Sequence, residues 1–464
     1  MRNKFLASLI GLVGAASLHA QSAIPPDMKT SIDKVVTDLL GKTGAPSASI
    51  AVVAGGKLVY ANAYGTARIE PQLMATAGMR YSVGSISKQF TVAAILLLAE
   101  QGEISLDDKL VRWLPELTRA RDVSIRQLLS MTAGYQDYWP QDYVMPTMLK
   151  PVTSNEIVER WGKIPLDFEP GTKWQYSNTN YVIAGMVVEK VAGEPLFSFL
   201  QKRILGPLQM KSATNTDDAA LGPDDPQRYL RYAGGPLRVA PKEGRGWLFA
   251  AGELAMTASD LAKWDITLID ESLLRPESYR QMKTEVHLAS GVGSGYGLGV
   301  SLALTNARRL VSHSGEVSGF TATNDVFPDE RVAVAVLTNM DATSASQQIA
   351  SKIESIVFAQ SEPGMTAALE KMRNIFASLQ RGKLDRPLFT ANANAYFTDE
   401  AIADFAAALG PLGTPQEFTQ SAQSLRGGMT LRRYEIKFPA KTLHLTTLIM
   451  PDGKIEQYQI ASAE

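Results

Sequence analysis

The chain contains no cysteine. That excludes disulfides, thiolate nucleophiles, Cys-ligated zinc, iron–sulfur clusters and a lipidated N-terminal Cys. Histidine is scarce, with four residues (His19, His287, His313 and His444) and no H-E-x-x-H pattern. A His-rich metal centre is therefore not expected, although a carboxylate-only site stays open. Neither sign of charge is in excess, since 46 Lys and Arg meet 47 Asp and Glu. The composition thus lacks the basic footprint of a nucleic-acid binder. After the N-terminus there is no apolar run long enough to span a bilayer, so no membrane span is expected in the mature protein. Three familiar signatures are also missing. There is no G-x-S-x-G elbow, no Walker loop, and no G-x-G-x-x-G opening a helix after a strand.

The N-terminus reads MRNK, then FLASLIGLVGAAS, then LHA-QS. A basic start, an apolar run of about a dozen residues and a small residue at Ala20 form the pattern of a cleaved signal peptide over 1–20. It predicts a periplasmic or secreted protein. The chain has 464 residues, room for two or three domains at roughly 150 residues each.

Apolar spacing predicts a helix over Asp27–Leu40 and a hairpin of SASIAVVA and KLVYANAY around Gly55-Gly56. Ser85–Gly102 is apolar nearly all round, the mark of a buried helix. Further helices are expected at Tyr181–Ala192, Leu196–Leu205, Ala258–Leu268 and Ser344–Phe358. Strands are expected at GYGLGVSLAL, RRLVSHSG, FTATNDVF and VAVAVLTN. Residues 360–364 (QSEPG) read as a linker. The remainder, 365–464, reads as a separate α+β module of helices followed by alternating strands, with Pro451-Asp452-Gly453 as a hairpin turn.

What stands out chemically is S-x-x-K. A Ser at a helix start and a Lys three residues on share one face, about 4.5 Å apart along the axis. A poorly solvated Lys there has a lowered pKa and can take the Ser proton. The pattern is weak alone, and the chain holds it twice, at Ser31–Lys34 and Ser85–Lys88. Y-x-N is also doubled, at Tyr60–Asn62 and Tyr176–Asn178. K-T-G at Lys42–Gly44 has a His-bearing counterpart in His313-Ser314-Gly315. The Ser31–Asn62 set has a structural reading throughout: Ser31 as a helix N-cap, Lys42–Gly44 as a helix end, Tyr60 on a hairpin strand. In the second set Ser85 starts a buried helix, Tyr176 sits in a loop before a helix, and His313 lies on a strand.

With Ser85–Lys88, Tyr176–Asn178 and His313–Gly315 in that order, the sequence resembles the serine β-lactamase and penicillin-binding protein family. It is most similar to the class C branch, with the related esterases and D-amino-acid peptidases. The likeness covers Asp27–Phe358 and includes GEISLDDKL, VSIRQLLSMTAGY, FEPGTKWQYSNTNYVIAG, ILGPLQM and AAGELAMTASDLAKW. It implies an α+β fold over residues 25–359, in which an antiparallel sheet covered by helices meets a mostly helical subdomain. It implies Ser85 as nucleophile, Lys88 and Tyr176 as proton-transfer groups, and Asn178 holding Lys88 and a substrate amide. His313, Ser314, Gly315 and Glu316 would line the substrate strand, and the backbone N–H groups of Ser85 and Glu316 would form the oxyanion hole.

The expected activity is hydrolysis of a small ester or amide, without cofactor or metal, on a small-molecule or short-peptide substrate. A β-lactamase or D-amino-acid peptidase acting on cell-wall peptides is the alternative. A catalytically weak binding or sensing protein is the reading from another class. One departure matters: many β-lactamases and cell-wall peptidases carry Lys where His313 stands. A mostly neutral His attracts a substrate carboxylate less. Tyr135, Tyr138, Trp139, Trp174 and Trp247 read as pocket lining or as packing. The C-terminal module weakly resembles cone-shaped domains such as the nuclear transport factor 2 family. It contains no catalytic constellation and is expected to pack or to form a homodimer, with capping of the active-site cleft or binding of a substrate as the alternative.

Overall fold

The structure, a computed structural model, describes residues 24–462 apart from 142, 307 and 362. The expected signal peptide over 1–20 lies outside the described residues.

Helix α1 (Pro26–Thr43) leads into strands β1 (Ser47–Ala54) and β2 (Lys57–Arg68). Gly44 ends the helix in the left-handed conformation that L side chains avoid. Helices α2 (Ser87–Glu100) and α3 (Asn178–Ala192) belong to the helical part, whereas α4 (Ala258–Asp270) lies against the sheet. The chain then returns to the sheet through β3 (Ser301–Thr305), β4 (Arg308–Val317), β5 (Phe320–Phe327) and β6 (Val332–Thr338). It closes the layer with α5 (Ala345–Ser361). Together with the short strand Leu73–Met74 these form a seven-stranded sheet, ordered Leu73–Met74, β2, β1, β6, β5, β4, β3.

Both central strands are buried along their length. Ala48, Ile50, Val52, Val334 and Val336 pack against Ile32 and Val36 of α1 and Ile349 and Ile353 of α5. Ala51, Val53, Ala333, Ala335 and Leu337 face the opposite cluster, with Phe90 of α2 and Trp264 of α4. A strand covered on two faces reads as a continuous apolar run rather than an alternation, as SASIAVVA and VAVAVLT do. Each buried Val or Ile contributes roughly 1.5–3 kcal/mol.

Beyond α5 come α6 (Pro363–Leu379), α7 (Ala391–Tyr396) and α8 (Asp399–Leu409). A four-stranded antiparallel meander follows, β7 (Glu417–Arg426), β8 (Met429–Phe438), β9 (Lys441–Ile449) and β10 (Ile455–Ser462). This region has its own core, including Met372, Phe376, Tyr434, Leu445 and Tyr458.

Three local expectations differ from the structure. The segment 360–364 is helical on both sides of residue 362, since α5 runs through Ser361 and α6 starts at Pro363; proline is well suited to open a helix. Ser31 does not cap α1. Pro26 at the first helical position starts the helix earlier, and the Ser31 hydroxyl donates back to the Asp27 carbonyl at 2.9 Å. GYGLGVSLAL is a strand only from Ser301. Gly295 and Gly299, at φ of 69° each, bend the preceding segment out of extended geometry.

Candidate active site

Ser85 sits in the single 3-10 turn Gly84–Ile86 that opens directly into α2. That turn is pressed backbone to backbone against β4. A Cβ on Gly315 would lie 1.9 Å from the Val83 carbonyl oxygen and 3.3 Å from the Ser85 nitrogen. A Cβ on Gly84, at φ of 52°, would lie 2.8 Å from the Glu316 nitrogen. Only glycine fits at both contacts.

The direction of the strand's amides follows from its two hairpins. Val317 pairs with Phe320 across Ser318-Gly319, and Arg308 pairs with Thr305 on the other edge. Closing pairs of two-residue hairpins exchange hydrogen bonds, and alternate residues then point the opposite way. Odd residues of β4 thus bond to β5, whereas Ser314 and Glu316 turn their N–H groups toward the β3 side. There the pairing with β3 stops at Ser312, opposite Ser301, and the Ser85 turn takes its place. We expect Gly315→Ala to push this turn away, lowering stability by about 1–3 kcal/mol. A thermal melt checks this.

Lys88, the second residue of α2, is fully buried. Its Nζ lies 2.9 Å from Ser85 Oγ, 2.8 Å from Asn178 Oδ1 and 2.8 Å from the Ala251 carbonyl oxygen. Two of these partners are carbonyl oxygens, which only accept, so they occupy two N–H bonds. The third direction faces Ser85: an N–H in the ammonium, a lone pair in the neutral amine. Loss of solvent, partly offset by the Asp137 charge, lowers the Lys88 pKa to about 7. Both forms are therefore accessible near neutrality. The Tyr176 hydroxyl reaches the same oxygen at 2.7 Å, and burial pushes its pKa up, so it stays protonated. Asn178, the first residue of α3, is held from behind by Asp137.

On β4, His313 is buried. Its Nδ1 is 2.5 Å from the Ser314 carbonyl oxygen and its Nε2 is 2.9 Å from the Tyr296 hydroxyl. A carbonyl cannot donate, so Nδ1 carries the hydrogen and Nε2 accepts from Tyr296. Burial and the Lys88 charge lower the His313 pKa to about 4, leaving the ring neutral at pH 7.

These residues open onto a cavity of about 1080 Å³ whose lining includes Ser85, Tyr176, Asn178, His313, Ser314 and Glu316. Neither Lys nor Arg is among the described lining residues, whereas Asp137, Asp167, Glu316 and Asp341 are. Of the five aromatic residues singled out, Tyr138 and Trp139 line the cavity. Tyr135 and Trp247 are core residues, bonded to the carbonyls of Thr118 (2.8 Å) and Lys150 (2.7 Å). The Trp174 ring packs at a tilt against Tyr296, with centroids 5.7 Å apart. Among the described residues no group of three or more His, Asp or Glu could hold a metal ion.

The duplicate motifs lie elsewhere. Lys34 is exposed and paired with Asp38, and Tyr60 belongs to the cluster on the α1 face, bonded to Asp33 at 3.0 Å. Two residues had escaped the sequence reading. Tyr296 sits in a glycine-rich stretch whose composition predicts a strand, and the alternating Gly295, Gly297 and Gly299 are the signal against one. Asp137 lies among aromatic residues and carries no motif of its own.

A family model described as Beta-lactamase matches residues 32–355. A penicillin-binding protein of Bacillus subtilis is 28% identical over 342 residues, which is 70% of this chain and 75% of that protein. A D-aminopeptidase of Brucella anthropi is 29% identical over 321 residues, 67% of this chain and 59% of the relative, so the chain spans less than two thirds of it. The fold of the octameric penicillin-binding protein homologue from Pyrococcus abyssi superposes with a TM-score of 0.62 at 20% identity, covering 94% of this chain and 96% of that one. With the match to 32–355 spanning the sheet, the helical part and the Ser85–Lys88 turn, the chain belongs to the beta-lactamase family of serine hydrolases.

Proposed function

We propose that this chain cleaves a small ester or amide through an acyl-Ser85 intermediate. The observation that carries the reading is one oxygen, Ser85 Oγ, within 2.9 Å of a buried Lys88 Nζ and 2.7 Å of the Tyr176 hydroxyl at the wall of a large cavity. Neutral Lys88 takes the Ser85 proton as Oγ attacks the carbonyl carbon. The N–H groups of Ser85 and Glu316 receive the charge on the carbonyl oxygen. Tyr176 relays a proton to the leaving oxygen or nitrogen as its bond to the acyl carbon breaks. Water then attacks the acyl-enzyme with the same pair taking its proton, and Ser85 is regenerated. Intact-protein mass spectrometry after brief exposure to p-nitrophenyl acetate tests this: an acetyl adduct is expected, and its absence would overturn the reading.

The charge around the site favours substrates without a carboxylate beside the scissile bond. His313 is neutral, and no Lys or Arg lines the cavity among the described residues. Esters and amides, including the amides of amino acids or peptides suggested by the D-aminopeptidase relative, therefore rank above bicyclic penicillins. Restoring a cation by His313→Lys should shift kcat/KM about tenfold toward a carboxylate-bearing chromogenic cephalosporin relative to a neutral ester. An unchanged ratio would place carboxylate selection elsewhere.

Export to the periplasm or beyond rests on the N-terminal pattern. No described helix is long and apolar enough to cross a membrane. The C-terminal module is read as a packing or self-association element. The fold shared with the octameric Pyrococcus abyssi protein over nearly the whole chain supports that, and sedimentation velocity tests it.

A further inference from the structure

Beside the reactive groups, in the cavity lining, lies a carboxylate whose hydrogen bonds go to Asn178 and Trp139. Asp137 Oδ1 accepts the backbone N–H of Asn178 at 3.0 Å and that of Trp139 at 3.1 Å, and Oδ2 accepts Asn178 Nδ2 at 3.3 Å. A carboxylate offers acceptors only. The Asn178 amide must therefore turn its nitrogen to Asp137, leaving its oxygen for Lys88 at 2.8 Å. That oxygen, with the Ala251 carbonyl, claims two Lys88 N–H bonds and leaves the third direction for Ser85.

We propose that Asp137 is a positioning residue which, acting through the orientation of the Asn178 amide, aims the Lys88 lone pair at Ser85 Oγ. The inference rests on the acyl-Ser85 reading. Asp137 is electrostatically coupled to Lys88 on α2, to Tyr176 ahead of α3 and to Tyr138 beside it, while His313 on β4 feels Lys88 in turn. Its negative charge raises the proton affinity of Lys88, opposing the effect of burial.

Asp137→Asn is nearly isosteric but replaces one acceptor by an NH2 donor. Asn178 then flips to bond it and presents its own NH2 to Lys88. The acceptor is lost, and so is the alignment. Stopped-flow release of p-nitrophenolate by the full-length chain reads the effect. We expect acylation to slow about 10–100-fold with ester affinity kept within about twofold. The acid limb of the acylation rate should move down by about 1 pH unit, because the group that stabilised the ammonium has gone.

Adding Asp137→Asn to Asn178→Ala should cost about twofold or less, since the amide it orients is already absent. Fully additive losses, or a variant with unchanged rate and limb, would overturn the proposal. Should Asp137→Asn fail to fold, Asp137→Glu carries the test. It keeps the charge and misplaces the oxygens, so acylation slows with the limb in place, and an unchanged rate overturns the inference. A wild-type protein without any p-nitrophenolate burst would instead refute the acyl-Ser85 reading itself.

Discussion

Ser85→Ala is expected to abolish the acyl adduct and to lower kcat for p-nitrophenyl esters by about 10⁴-fold or more. Removing Oγ takes away the one atom that, among the described residues, both Lys88 and Tyr176 address. Ground-state affinity should survive, because the cavity of about 1080 Å³ keeps its other walls. The combination separates two classes of function. A hydrolase loses turnover while still binding, whereas a binding or sensing protein shows negligible turnover before the substitution as well as after it. Mass spectrometry of the wild type and the variant, with equilibrium binding of a non-hydrolysed analogue, reads both. Turnover that persisted in Ser85→Ala would remove Ser85 from the reaction.

Lys88→Ala should lower kcat by about 10²–10⁴-fold, the range expected for loss of a positioned proton acceptor. The pH profile makes this more specific than a loss of rate. Lys88 accepts a proton only when neutral, and its pKa is lowered from 10.5 to about 7. Wild-type kcat/KM should accordingly rise with pH through about 7 and level off above it. In Lys88→Ala that limb should vanish. His313 cannot supply it, since its pKa is lowered to about 4. A limb near 7 persisting in Lys88→Ala would assign the titration to another group and defeat the proposed role.

Much of the fold was legible for a simple reason. Strands covered on both faces show as mostly apolar runs, and SASIAVVA and VAVAVLT both became strands of the main sheet. The helix around FTVAAILLLAEQG was equally plain, since an apolar surface on every side has nowhere to go but inside. Errors fell where backbone conformation overrode composition. Gly295 and Gly299 turned an apparent strand into a bend, and Pro26 moved a helix start past Ser31.

By itself the sequence determined the Ser85–Lys88 pair, because i and i+3 on one helix are neighbours whatever the rest of the chain does. Through family likeness it also pointed to Tyr176, Asn178 and His313. Only the tertiary structure decided which of two S-x-x-K motifs is desolvated: Lys34 is exposed and paired, and Lys88 is buried beneath the cavity. Only the tertiary structure fixed the His313 tautomer, through Tyr296 and the Ser314 carbonyl, and showed which end of the Asn178 amide Asp137 turns toward Lys88. The physical reason is common to all three. Proton affinity and hydrogen-bond direction depend on which groups are excluded from water and which donors and acceptors lie within about 3 Å. Those neighbours come from segments far apart in the chain.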